Sequence, residues 1–105
     1  MSDGIVVVFR SRLDPAHLEE YTQWGERIDR LLPDLQGFRG IKTFVAEDGE
    51  RVSIAEFDTL EDVLRWRAQP EHREAQRLGK LRFYTEYSLQ TCQVLRSTQH
   101  RREDA

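Results

Sequence analysis

The sequence predicts one α+β domain of ferredoxin-like topology, β-α-β-β-α-β, and three observations carry that expectation. An apolar, β-branched run near the start is followed by a proline-initiated amphipathic helix. Two alternating segments flank an Asp-Gly pair, the signature of a hairpin. A second helical pattern, broken by one proline, leads into a long final strand carrying Thr, Tyr, Val and Cys.

Taken in order, residues 5–9 (Ile-Val-Val-Val-Phe) are apolar on both alternating faces, as in a strand buried from two sides. Asp14 is placed as helix N-cap, with Pro15 at the first helical position. The helix that follows carries Leu18, Tyr21, Gly25, Ile28 and Leu32 on one stripe, and Pro33 and Gly37 close it. Residues 38–46 and 51–58 form the second and third strands, antiparallel about Asp48 and Gly49. Thr59 opens the next helix in a capping-box-like start with acid in its first turn. Leu60, Val63, Leu64 and Arg67 share the face expected to bury. Pro70 interrupts that helix, and a further helical piece runs over 71–81. Residues 84–96 make the last strand. The domain is thus 1–96, and the polar, charged 97–105 read as a disordered C-terminal tail.

At 105 residues the chain holds one domain. Its net charge is −3 with the signs intermixed, which argues against nucleic acid as a partner, since phosphate binding needs a clustered basic face. One cysteine, Cys92, excludes an internal disulfide framework and a Cys-rich zinc site; mid-strand, it reads as a buried small hydrophobe rather than a nucleophile. No run approaches the roughly 20 apolar residues that span a bilayer, and the start lacks the basic residues of a secretory signal. These features fit a cytoplasmic protein with no membrane partner.

The four strands carry more apolar residues than one helix-covered face can use. Ile5, Val7 and Phe9 alternate with Val6 and Val8, and the middle strands add Ile41, Phe44, Val45 and Ile54. The second sheet face therefore needs cover, and a second copy of the same sheet is the simplest, giving a homodimeric two-chain barrel.

Several short motifs resemble antibiotic-biosynthesis-monooxygenase domains. They are Pro70, Glu71 and His72; Ala75, Gln76 and Arg77; and the run Phe83, Tyr84, Thr85, Glu86 and Tyr87, with Trp66 just upstream. The segment 14–32 resembles that family's first helix, and Gly37, Phe38, Arg39 and Gly40 the start of its second strand. The likeness spans about residues 5–96. It implies a dimeric α/β barrel with a pocket between sheet and helices in each chain. It also implies one of several activities: cofactor-independent oxygenation of aromatic polyketides or quinols, haem degradation, or no established chemistry. Haem-degrading members use an asparagine–tryptophan–histidine set, and this chain has no asparagine.

Trp66 lies roughly 120° from the centre of the expected core stripe, using the helical repeat. It is either a pocket wall, as the resemblance implies, or packing at the edge of the core. His72, at a helix N-terminus, is disposed to stay neutral and able to accept a proton, with Ala75 and Gly79 leaving room beside it. The alternative is a capping or surface histidine. Tyr84 and Tyr87 are an odd number apart and are expected on opposite strand faces, so that only one lines a given cavity. Tyr21 and Trp24 could form an aromatic wall or simply core, and Phe57 is a sheet residue of the same ambiguity. No Gly-rich phosphate loop and no metal-ligand spacing occurs, so neither cofactor nor metal is expected.

The sequence thus points to a cofactor-independent monooxygenase acting on a small aromatic molecule with O2. His72 is the expected base, Tyr84 the hydrogen-bond donor, and Trp66, Tyr21, Trp24 and Phe57 the substrate wall. A non-catalytic small-molecule-binding barrel and an isomerase-type enzyme on the same fold are the competing accounts.

Overall fold

The computed structural model describes residues 4–104. Strand β1 (Ile5–Leu13) leads through a 3-10 turn (Pro15–His17) into α1 (Leu18–Leu31) and a second 3-10 turn (Leu32–Asp34). Strands β2 (Phe38–Val45) and β3 (Arg51–Phe57) follow, then α2 (Leu60–Ala68), α3 (Pro70–Leu78), a π-helical turn (Gly79–Phe83) and β4 (Tyr84–Gln93). The antiparallel sheet has the order β2-β3-β1-β4, the expected ferredoxin-like arrangement. Beyond Gln93 the described residues contain no further helix or strand, so β4 ends three residues before the expected 84–96.

Local chemistry accounts for the joints. The Asp14 carboxylate accepts from the Ala16 amide at 2.9 Å, and Pro15 needs no partner for a proton it lacks. Between β2 and β3, Gly49 adopts φ +92° and its amide donates to the Ala46 carbonyl at 2.9 Å. Thr59 caps α2: its hydroxyl accepts from the Asp62 amide and donates to the Asp62 carboxylate. The Gln69 side chain caps α3 by accepting from the His72 amide at 2.8 Å, with Pro70 at the first helical position.

Register fixes the two faces of the sheet. Ile5 pairs with Phe57, Val7 with Ala55, Phe9 with Ser53 and Ser11 with Arg51, so these residues share one face. That face meets the helices through a core of Ile5, Leu32, Ala55, Phe57, Val63 and Trp66, with Val7, Ile28, Leu31, Leu35 and Phe38 packed around it. Each large apolar side chain enclosed here contributes roughly 1.5–3 kcal/mol. The opposite face presents Val6, Val8, Phe44, Val52 and Ile54 with no helix over them. It is bordered by the Arg10–Glu50 and Arg12–Asp48 ion pairs.

Two expectations about burial are corrected. The buried face of α2 is Asp62, Val63 and Trp66, whereas Leu60 and Leu64 are 47% and 53% exposed. Asp62 packs against Gly37, and Trp66, four residues on and on the same helix face, takes the core position. Cys92, expected as a buried hydrophobe, is exposed on the helix-free face opposite Val6, because β4 is an edge strand.

Candidate functional site

Two aromatic centres lie between the helices and the sheet, at opposite ends of β1. The first stands at the α2–α3 corner. The His72 ring lies flat on the Trp66 indole, with centroids 3.9 Å apart and planes 20° from parallel. Its Nδ1 meets the Gln76 side-chain amide at 2.9 Å. The same Gln76 nitrogen donates to the Arg67 carbonyl at 3.3 Å, an acceptor that orients the amide with its N–H groups toward the histidine. Nδ1 therefore accepts, which leaves the ring proton on the other nitrogen. Burial, helped by the Arg67 charge, lowers the His72 pKa from 6.5 to about 4. The ring is thus neutral near pH 7, as expected, but burial rather than the helix terminus is the main cause.

The second centre surrounds Tyr84, at the far end of the sheet. A register shift between Arg12 and Leu13 brings Tyr84 opposite Leu13 while Tyr87 stays opposite Ser11. Both tyrosines consequently face the helices, with ring centroids 5.9 Å apart, and the expectation of opposite faces is corrected. Phe9 lies between them, 5.2 Å from Tyr84 and 5.6 Å from Tyr87. Tyr21 reaches in from α1, edge-on to Phe83 at 5.9 Å and to Tyr84 at 6.0 Å. Burial, then the neighbouring Tyr21, pushes the Tyr84 phenol well above its usual range, while the Arg51 charge pulls it down. Tyr84 is held as a protonated donor.

Helix α3 links the centres, with His72 in its first turn and Gly79 just past its end. A Cβ on Gly79 would lie 2.8 Å from the Tyr84 ring, so the room expected beside His72 is partly filled by that ring. Roughly two turns of helix separate the two positions, about 10 Å along the axis.

The other expected wall residues fall outside both groupings. Phe57 is 1% exposed, edge-on to Phe38, and shapes the core rather than a ligand surface. Trp24 is half-buried, one turn along α1, with the Arg27 guanidinium 4.6 Å over its ring. The described residues include no group of His, Cys, Asp and Glu disposed to hold a metal ion. No described helix is long and apolar enough to cross a membrane. Two open concavities adjoin these groupings. One, on α3, is lined by Arg73, Gln76, Arg77, Lys80 and Leu81; the other, at the β1–β4 edge, is lined by Arg10, Ser11, Glu50, Glu86, Tyr87 and Ser88.

Arg51, Ser11 and Gln76 were not among the expected site residues. The strand alternation through Phe57, Ala55 and Ser53 places Arg51 on the inward face, and a charge at such a position was a readable signal. Gln76 is four residues from His72 on one helix face, equally readable once His72 is singled out.

Comparison with known proteins agrees with this architecture. The family model described as antibiotic biosynthesis monooxygenase matches residues 4–78. The uncharacterized protein YqjZ of Bacillus subtilis (strain 168) is 28% identical over 74 residues, which cover 70% of this chain. The match spans 65% of that protein's length. Among solved structures, Rv0793 from Mycobacterium tuberculosis superposes with a TM-score of 0.79 at 12% identity, covering 92% of this chain and 100% of that one. SnoaB, a cofactor-independent oxygenase from Streptomyces nogalater, superposes in a mutant form with a TM-score of 0.74 at 16% identity, covering 91% and 97%. At such identities these likenesses speak for the fold.

Proposed function

The chain belongs to the antibiotic biosynthesis monooxygenase family, and we propose that it oxygenates a small phenol or quinol with O2 and no cofactor, as a homodimer. One observation carries the reading: a histidine held neutral and a tyrosine held protonated face the same helix–sheet seam, linked by α3. The neutral ring takes the substrate hydroxyl proton as a phenolate forms beside it, the paired anion restoring the proton affinity that burial alone lowers, and the electron density of the substrate ring rises until it reduces O2. The substrate supplies the electrons; one oxygen atom enters the ring and the other leaves as water. Tyr84 donates to the developing oxyanion, and Trp66 and Tyr21 supply aromatic walls that exclude water. The similarity to SnoaB, named as a cofactor-independent oxygenase, supports this chemistry. For His72 to act through Nδ1, the Gln76 amide must swing away from it.

The uncovered sheet face supports the dimer. Val6, Val8, Phe44, Val52 and Ile54 are apolar neighbours on that face, interspersed with Lys42 and Glu56, and a second copy of the sheet would bury them.

Oxygen uptake with a panel of quinols, after exhaustive chelation, tests the reaction. Uptake that survives the chelator and falls strongly in His72→Ala and Tyr84→Phe is expected; no uptake with any quinol counts against it. A second reading, a ligand-binding domain without turnover, is favoured by the engagement of His72 Nδ1 with the Gln76 amide. Tight binding of an aromatic with no oxygen consumed would establish that one.

A further inference from the structure

Arg51 stands apart from every other arginine that is less than fully exposed. Arg12 and Arg82 are likewise half-buried, but each has a carboxylate: Asp48 and Glu86 for Arg12, Glu20 for Arg82. Arg51 has none among the described residues. Instead its guanidinium lies 5.7 Å over the Tyr21 ring and acts on the Tyr84 phenol. A cation withdrawn from water is ordinarily paired, and contact with one aromatic face replaces only part of what a carboxylate supplies.

Its surroundings suit an anion. Arg51 pairs with Ser11 across the β1–β3 ladder, and Ser11 is 5% exposed. The Tyr21 hydroxyl lies at the same end of the sheet, beside the Tyr84 phenol. Ser11 and Tyr87 also line an open concavity at the β1–β4 edge, together with Arg10, Ser88 and the carboxylates of Glu50 and Glu86, which are paired with Arg10 and Arg12. Rings of Phe9, Tyr21 and Tyr87 border this end of the sheet with apolar surface suited to an arene, and Phe83 is buried against Tyr21.

We infer that Arg51, with the Tyr21 hydroxyl, binds a carboxylate on the aromatic ligand, so that the preferred substrates are aromatic acids rather than neutral arenes. The inference rests on the small-aromatic reading above and narrows it. The guanidinium fork matches a carboxylate with two parallel hydrogen bonds, and the tyrosine donor completes the set on an ionised oxygen.

Isothermal titration of 2-naphthoate and of 2-naphthalenemethanol, a neutral analogue of the same ring, tests this on the full chain. The wild type is expected to bind the naphthoate roughly tenfold more tightly, the ratio a charge-assisted pair typically supplies. Arg51→Met should abolish that preference while leaving the alcohol's affinity in place, and Arg51→Lys should retain part of it. Equal affinities in the wild type, or a preference that survives in Arg51→Met, overturns the inference and leaves the aromatic-binding reading intact. Failure of both arenes to bind overturns the two together. Loss of self-association in Arg51→Met, seen by light scattering with naphthoate binding unchanged, would instead assign Arg51 to a subunit contact and also overturn it.

Discussion

His72 lies flat against Trp66, with ring centroids 3.9 Å apart, and its pKa of about 4 makes this contact a pH-sensitive element of stability. Unfolded, the imidazole binds a proton near pH 6.5; folded, only near 4. Between those values the unfolded chain holds one more proton, so stability falls as the pH drops through that window. From pH 7 to pH 5 the loss should be about 2 kcal/mol, measured by urea unfolding. His72→Gln should flatten that slope; an unchanged slope would show that the ring is not buried neutral.

Gly79 is the position where Tyr84 meets the helix layer. A methyl group there would sit 2.8 Å from the ring edge, and Phe9 and Tyr21 on its other sides limit how far the ring can retreat. Gly79→Ala should cost about 1–3 kcal/mol and shift the aromatic resonances of Tyr84. Unmoved resonances would mean that the ring does not pack on α3.

Gly37 joins a left-handed backbone to a contact that no side chain can share. Its φ is +79°, and a Cβ would fall 1.9 Å from Asp62 Oδ2. Thr59 and Arg65 hold that carboxylate, keeping its pKa below the usual range, so it cannot yield freely. Gly37→Ala should destabilise by more than roughly 2 kcal/mol, from strain and collision together. In a double-mutant cycle Asp62→Ala should recover part of the loss; strict additivity would exclude the collision.

The helix-free sheet face predicts the oligomeric state. Light scattering should give twice the chain mass for the wild type, and Val8→Lys combined with Ile54→Lys should give a monomer with unchanged far-ultraviolet circular dichroism. These two residues are register partners at the middle of the face, so paired charges there are not tolerated against a second sheet. A wild type that is monomeric at high concentration would remove the barrel.

The family and the ferredoxin-like fold were legible because short motifs and apolar periodicity are carried by local sequence. The candidate site was legible only in part. Trp66 stacks on His72 and Tyr21 meets Tyr84, so these residues form two groupings separated along α3 rather than one. Phe57 could not be separated from the core, because strand alternation fixes a face but not a depth.

The amino-acid order alone determined the succession of strands and helices, their caps at Asp14 and Thr59, and the Asp-Gly hairpin, since each depends on hydrogen bonds spanning a few residues. Tertiary structure decided which side of α2 is buried and that Tyr84 and Tyr87 share a face. The leucines of α2 offered as good an apolar stripe as Trp66 did, and only the docking of Asp62 over Gly37 selected between them. Likewise a bulge is a property of two paired strands, so the side to which Tyr84 turns is settled by how β4 registers against β1.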